Sequence, residues 1–318
     1  MVQSREGWGR YVANSDGFLA HEFAAVPTGP RALLMGDSFT QGLQVREGER
    51  YSEVLERLVP GLEVLNVSTG GRSPIHYALY LPRFQAAFRP SFTIVQVNDA
   101  DLSEMEDART DAVTLAEFRG PPSPSPAGAR ADRWVERLHE LGRRSALLRE
   151  ISARVELLAK QEYARLARKV TGRRANTEDV VALPATPRAE AMVDSLLGEV
   201  VRLSPRTILV YVPHLRYFDA VPRDAYPVRR AWYRALAERR GLAFVDPTDA
   251  LLAEFRRTGE PLQGFANTRP GIGHMNARGH ELLGKLLAGT ILRLTAQGGA
   301  WADPPAAVRV TAGAGARP

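Results

Sequence analysis

Three strand ends in this chain carry residues of the types that acyl-transfer chemistry uses. Ser38 lies in the turn 36–40 after an apolar run, where its hydroxyl is exposed and backbone N–H groups surround it, which suits a nucleophile. Gly71 follows the second apolar run, and a glycine there lets its N–H approach a developing oxyanion. Asn98 ends the third run and offers a side-chain NH₂ to the same oxygen. The pattern indicates attack of a hydroxyl on an acyl carbon.

A serine hydroxyl is weakly nucleophilic until a neighbouring base accepts its proton. His274 is the candidate base, because it lies in the glycine-rich loop 271–276 before the last predicted helix, which Asn276 is suited to cap. His76 and His214 also follow predicted strand ends, where we expect them to form a polar pocket rim.

Four blocks of the chain resemble, in order and spacing, the motifs of the SGNH/GDSL hydrolase superfamily: residues 36–40, 66–71, 98–99 and 273–279. The resemblance implies a flavodoxin-like fold and an esterase or acylhydrolase that uses no cofactor. It also implies that Ser38 is the nucleophile and His274 the general base and acid. Gly71 and Asn98 would complete an oxyanion hole with the backbone N–H of Ser38.

The chain departs from this family pattern at two places. Similar hydrolases usually carry an acidic residue two or three positions before the histidine, where this chain has Ile272 and Gly271. Loss of that acid costs on the order of 10⁴ in turnover in a related triad. Asp246 and Asp249 are the nearest candidates for a substitute. The second departure is Gln96, which stands where the family has a glycine.

The elements that must position these residues alternate along the chain. Apolar runs predict five strands, at 32–35, 63–67, 92–97, 207–212 and 242–245. Helical periodicity between them predicts right-handed crossovers. The alternation therefore predicts an α/β fold, with three α/β/α layers, a parallel five-stranded sheet and a helical insertion. The family resemblance implies that this arrangement is flavodoxin-like. Ligands bind at the carboxyl ends of such strands.

The alternation is interrupted after the third strand, which suggests a discontinuous domain. We predict that residues 1–102 and 205–297 form the hydrolase-like α/β domain. Residues 103–204 form a helical insertion or cap with a Pro-rich linker at 120–128, and residues 298–318 form a disordered tail.

Composition excludes several function classes. The 318 residues include no cysteine, which excludes disulfides and thiolate metal sites, and no His-rich spacing predicts a metal site. No apolar stretch is long enough for stable membrane insertion. The net charge of +6 comes from arginines scattered among acidic residues, so we predict no nucleic-acid binding. The chain as given predicts a cytoplasmic location, or an exported, surface-associated one if a signal was removed. Oligomeric state is left open.

Three functional hypotheses follow. The first is a serine hydrolase that cleaves acyl esters of small molecules or glycans through an acyl-enzyme on Ser38. The second is an O-acyltransferase that uses the same acyl-enzyme. The third is a non-catalytic binding protein on a degraded hydrolase scaffold, motivated by the missing acid.

Overall fold

The computed structural model describes residues 2–3, 6–105 and 185–297. Most of the predicted helical insertion, including the Pro-rich linker at 120–128, and the tail at 298–318 lie outside the described residues. The division into an α/β domain and a helical insertion therefore stays a prediction.

A parallel five-stranded sheet forms the centre of the described chain. The strands are β1 (Val2–Gln3), β2 (Arg10–Tyr11), β3 (Arg31–Met35), β4 (Glu63–Asn66), β5 (Phe92–Val97), β6 (Thr207–Tyr211), β7 (Leu215–Arg216), β8 (Arg223–Asp224) and β9 (Ala243–Val245). The central sheet has the order β4-β3-β5-β6-β9, and all four pairings are parallel. The predicted α/β class and five parallel strands are confirmed, with boundaries within a residue or two.

The central strands are apolar because both faces of the sheet are covered. Every residue of β3, β5 and β6 is buried, as expected for parallel strands between two helical layers. Leu34 is level with Asn66 on one side and Ile94 on the other. The strands thus end at the same edge of the sheet, where the loops that carry the polar residues meet.

Eight helices are described: α1 (Ser38–Gln41), α2 (Tyr51–Leu58), α3 (Pro74–Phe88), α4 (Asp99–Glu104), α5 (Pro187–Leu203), α6 (Pro227–Arg239), α7 (Thr248–Thr258) and α8 (Ala277–Ala296). Alternate strand residues point to opposite faces. Leu33 belongs to the apolar cluster that includes α3, α5 and α6, whereas Leu34 belongs to the cluster that includes α2 and α8. The two clusters define the three layers.

The shortest elements were not predicted from the sequence. The hairpins β1–β2 and β7–β8 have two residues per strand, and α1 is a single turn, so none of them contains a period that a pattern could reveal. Helix α5 lies in the predicted insertion, yet its buried Val193 and Leu197 pack in the same cluster as α3. None of the described helices combines the length and apolarity that crossing a membrane requires.

Candidate active site

Ser38 and His274 meet at the carboxyl edge of the sheet. Ser38 is the first residue of α1, and Nε2 of His274 lies 2.8 Å from its Oγ. The two residues are 236 positions apart in the sequence. Both side chains are half-buried, so the pair remains open to a substrate. This distance is that of a hydrogen bond between the hydroxyl and the imidazole.

The turn that presents Ser38 is held by Gln96. Its buried Oε1 accepts hydrogen bonds from the backbone N–H of Asp37 at 3.1 Å and from Oγ1 of Thr40 at 2.9 Å. Thr40 Oγ1 also lies 2.7 Å from the hydroxyl of Tyr51. Gln96 thus binds both sides of the turn that carries Ser38.

The His274 loop is anchored on both sides. The carbonyl of His274 accepts a hydrogen bond from Gly264 N–H at 2.8 Å. Asn276 caps α8, since its side chain accepts from the backbone N–H groups of Arg278 and Gly279. The imidazole also packs on the ring of Phe39, with a centroid distance of 4.7 Å. These contacts give the His274 imidazole a defined position.

Glu6 occupies the position of the missing acid. Its Oε2 lies 2.5 Å from Nδ1 of His274, and its Oε1 accepts from the His274 backbone N–H at 3.2 Å. A Cβ at Gly273 would lie 2.3 Å from Oε1 of Glu6, so a glycine before the histidine makes room for the carboxylate. The carboxylate whose apparent absence motivated a non-catalytic scaffold is present.

The proposal that Asp246 or Asp249 substitutes for the missing acid is wrong. Asp246 accepts hydrogen bonds from Arg230 Nε at 2.6 Å and from Thr248 Oγ1 at 2.6 Å. Asp249, whose side chain is mostly exposed, accepts from Arg230 Nη2 at 2.9 Å. Both carboxylates pair with Arg230 beyond the end of β9, and neither contacts His274.

The segment that carries Glu6 is tied to the body by backbone contacts. Gly7 N–H donates to Oδ1 of Asn267 at 3.0 Å, and Nδ2 of Asn267 donates to the carbonyl of Gly7 at 3.0 Å. Trp8 N–H donates to the carbonyl of Gln44 at 2.9 Å. Sequence spacing could not identify Glu6, because 268 residues separate it from His274. The only signal was the lack of a carboxylate before the histidine.

The loop after β4 lies on the other side of Ser38. A Cβ at Gly70 would be 3.5 Å from Cβ of Ser38, and Gly70 N–H donates to Oε1 of Gln41 at 3.1 Å. Gly71 has a left-handed φ of 76°, which favours glycine. In the described part of the chain, the backbone N–H groups of Gly71 and Ser38 have no acceptor. Both remain available to a ligand.

Asn98 is tied to the Ser38 turn through Asp37. Its Nδ2 donates to Oδ2 of Asp37 at 2.7 Å, and its Oδ1 accepts from the second and third N–H groups of α4. An amide carries two N–H bonds, and the second has no acceptor among the described residues. Burial raises the pKa of the Asp37 carboxyl, while the hydrogen bonds from Phe39 N–H and Asn98 oppose that rise. Asp37 thus orients the turn and Asn98 rather than the histidine.

Within residues 6–105 and 185–297, no group of three or more His, Asp or Glu side chains is placed to hold a metal ion. The chemistry that this arrangement supports directly is proton transfer between the Ser38 hydroxyl and the His274 imidazole.

Comparison with known sequences gives one family match. Residues 34–282 match the model of the GDSL-like Lipase/Acylhydrolase family. That stretch contains Ser38, Gly71, Asn98 and His274, whereas Glu6 precedes it. No curated protein sequence matches the chain.

Several solved structures resemble the chain at low identity. A catalytic mutant of an acetylxylan esterase from Geobacillus stearothermophilus is 15% identical with a TM-score of 0.44, and the match covers 84% of this chain and 96% of that one. A two-domain esterase active on acetylated mannans is 12% identical with a TM-score of 0.45, covering 88% and 52%. A G-D-S-L lipolytic protein from Veillonella parvula is 14% identical with a TM-score of 0.39, covering 84% and 98%.

Proposed function

Because the chain belongs to the GDSL-like lipase/acylhydrolase family, we propose that it cleaves carboxylic esters through an acyl-enzyme on Ser38. One observation carries the proposal. Ser38 Oγ lies 2.8 Å from His274 Nε2, and His274 Nδ1 lies 2.5 Å from Glu6 Oε2. A hydroxyl, an imidazole and a carboxylate in this order form the hydrogen-bonded series that activates a serine.

In the first half-reaction, His274 Nε2 takes the proton of the Ser38 hydroxyl as Oγ attacks the ester carbonyl carbon. The carbonyl oxygen becomes an oxyanion, which the N–H groups of Ser38 and Gly71 and the Nδ2 of Asn98 stabilise. The bond to the alcohol oxygen then breaks, and His274 gives its proton to the leaving alcohol. An acyl group remains on Ser38.

In the second half-reaction, His274 takes a proton from water as the water oxygen attacks the acyl carbon. The same donors stabilise the second oxyanion. The bond between the acyl carbon and Ser38 Oγ breaks, and Oγ receives the proton from His274. The products are a free acid and the original hydroxyl.

Glu6 acts on the acyl carbon only through His274, so its role is positioning. A carboxylate on Nδ1 holds the tautomer in which Nδ1 carries the proton and Nε2 has a lone pair toward Ser38. It also stabilises the imidazolium that forms when Nε2 takes the proton. The substrates that we propose are acyl esters of small molecules or glycans.

Hydrolysis of p-nitrophenyl acetate by the wild-type chain and by Ser38→Ala tests this function. We expect Ser38→Ala to lose at least a 10³-fold factor in kcat, because no other group replaces the nucleophile. A fluorophosphonate probe should label the wild-type protein at Ser38 and leave the variant unlabelled.

Ser15→Ala is the matched control, since Ser15 is exposed and bonded to Glu22. It should keep both turnover and labelling. Turnover by Ser38→Ala equal to that of the wild type would rule out the acyl-enzyme.

A further inference from the structure

A second imidazole–carboxylate pair lies at the same edge of the sheet. Nδ1 of His214, three residues after β6, is 2.5 Å from Oδ1 of Asp99, which directly follows Asn98. The Asp99 side chain is 5% exposed. The buried Arg229 donates from Nη1 to the carbonyl of Asp99 at 2.8 Å, which fixes the start of α4. The orientation of this imidazole is therefore set by the fold.

Phe39 connects this pair to the proposed catalytic residues. Its ring meets the His214 ring edge-on at a centroid distance of 5.3 Å and lies 4.7 Å from the His274 ring. Tyr226 contacts the His214 ring from another direction at 5.9 Å. The two imidazoles thus share one aromatic neighbour, and that neighbour follows the nucleophile in the sequence.

The second nitrogen of His214 is available to a ligand. Among the described residues Nε2 has no hydrogen-bond partner, and it is absent from the buried unpartnered atoms. The side chain is 34% exposed. Because Asp99 occupies Nδ1, a polar group that reaches this imidazole from solvent meets Nε2.

The carboxylates around His214 favour the protonated form of its imidazole. Burial lowers the pKa of the imidazole, but the hydrogen bond and charge of Asp99 together with Asp37 and Asp224 outweigh this, so the pKa is raised. The neutral ring accepts a hydrogen bond at Nε2, and the protonated ring donates one. A hydroxyl group suits both states, since it can donate to Nε2 of the neutral ring and accept from Nε2–H of the protonated ring.

The reaction itself needs no second base. The proton that His274 takes from Ser38 goes to the leaving alcohol, and the proton that it takes from water returns to Ser38. His214 is therefore left with a binding role. His274 must reach the leaving oxygen, so the alcohol departs on the side of Ser38 where His274 lies. Phe39 places His214 next to that side.

We propose that His214 is a substrate-positioning residue whose Nε2 hydrogen-bonds a hydroxyl on the alcohol half of the ester. The substrate class is then the acyl esters of diols and polyols. This inference rests on the proposed ester hydrolysis and adds the group that selects the alcohol.

Two acetate esters of equal length test the proposal. 2-Hydroxyethyl acetate carries a terminal hydroxyl where propyl acetate carries a methyl group. The wild type should prefer the hydroxyethyl ester by about tenfold in kcat/KM, the size of one useful hydrogen bond. His214→Phe retains a ring against Phe39 without the nitrogen, so its preference should fall to about one, while kcat/KM for propyl acetate stays within about threefold.

A second variant separates binding from folding. His214→Asn keeps an amide near the Nδ1 position to pair with Asp99 but has no atom at Nε2, and it should lose the preference too. The control is His21→Phe, because His21 lies beside Glu56, away from the site, and this variant should keep the wild-type preference.

The outcomes distinguish the two proposals. Absence of a preference in the wild type, its persistence in both His214 variants, or an equal loss for both esters would overturn the role of His214. In those cases Ser38-dependent turnover still supports the hydrolase. If neither ester is cleaved and Ser38 is not labelled, the proposed function fails and this inference fails with it.

Discussion

At the residue scale, the proposed mechanism depends on a carboxylate that no local motif contains. Glu6 reaches both Nδ1 and the backbone N–H of His274. A single carboxylate therefore orients the imidazole and also ties down the loop that carries it. This double contact is possible because Gly273 has no side chain in the way.

Glu6→Gln should lower kcat for p-nitrophenyl acetate by roughly 10²- to 10⁴-fold. The amide can donate to Nδ1, which favours the tautomer with a proton on Nε2, and that tautomer cannot accept the Ser38 proton. The measurement is steady-state hydrolysis combined with thermal unfolding, which should change little.

Glu22→Gln is the control, because Glu22 is exposed and its hydrogen bonds within the described part of the chain go to the exposed Ser15. It should retain wild-type kcat. A loss smaller than threefold in Glu6→Gln would mean that Glu6 does not orient the base.

At the element scale, the packing of α8 on α2 positions the histidine loop, which ends where Asn276 caps α8. The two helices approach closely because α8 has a glycine at the contact. A Cβ at Gly284 would lie 2.5 Å from Cγ1 of Val54 and 3.2 Å from the carbonyl oxygen of Tyr51. No rotamer change relieves a contact with backbone.

Gly284→Ala should therefore lower the free energy of unfolding by about 1–3 kcal/mol, since the added methyl overpacks the interface. Gly289→Ala on the same helix is the matched comparison, because the nearest atom to its Cβ is Arg293 Nη1 at 3.6 Å. That variant should raise stability by roughly 0.5–1 kcal/mol through helix propensity. Urea unfolding of the two variants measures both, and equal effects would contradict the close approach.

At the scale of the whole molecule, folding buries a histidine that must stay neutral. His280 Nδ1 accepts a hydrogen bond from Tyr51 N–H at 3.3 Å, and its residue is 1% exposed. Burial, with the charges of Arg50 and His274, lowers the pKa of His280 to about 3. In the unfolded chain the imidazole has its ordinary pKa of about 6.5.

Between pH 6.5 and 3, the unfolded chain binds a proton at this position that the folded chain does not. Stability is then lost as the pH falls, by about 1.4 kcal/mol per pH unit and up to roughly 5 kcal/mol in total. His280→Asn keeps an acceptor for Tyr51 N–H and does not titrate. We expect the unfolding free energy of this variant, measured by urea titration, to fall less steeply with decreasing pH than that of the wild type, by the slope that one bound proton contributes. Equal slopes for the two proteins would contradict the burial effect.

The sequence determined the α/β class and the five strands, and it predicted four residues of the candidate site, because the patterns that identify them are local. A buried strand must be apolar along its length, as in Phe92–Val97, and Ser38, Gly71 and Asn98 each stand where such a strand ends. The meeting of these strand ends then follows from parallel pairing, which the order of elements already implies.

Tertiary structure decided which carboxylate bonds to His274, and which ring nitrogen of His214 has no partner among the described residues. Asp246 follows a strand end, as Asn98 does, yet it is paired with Arg230. Glu6 comes instead from a segment that Asn267 and the carbonyl of Gln44 hold in place. The pairing of His214 with Asp99 is decided in the same way. Contacts between side chains that are hundreds of residues apart in the sequence depend on the paths of loops and on free space, such as the space beside Gly273. Neither produces a periodic pattern in the sequence.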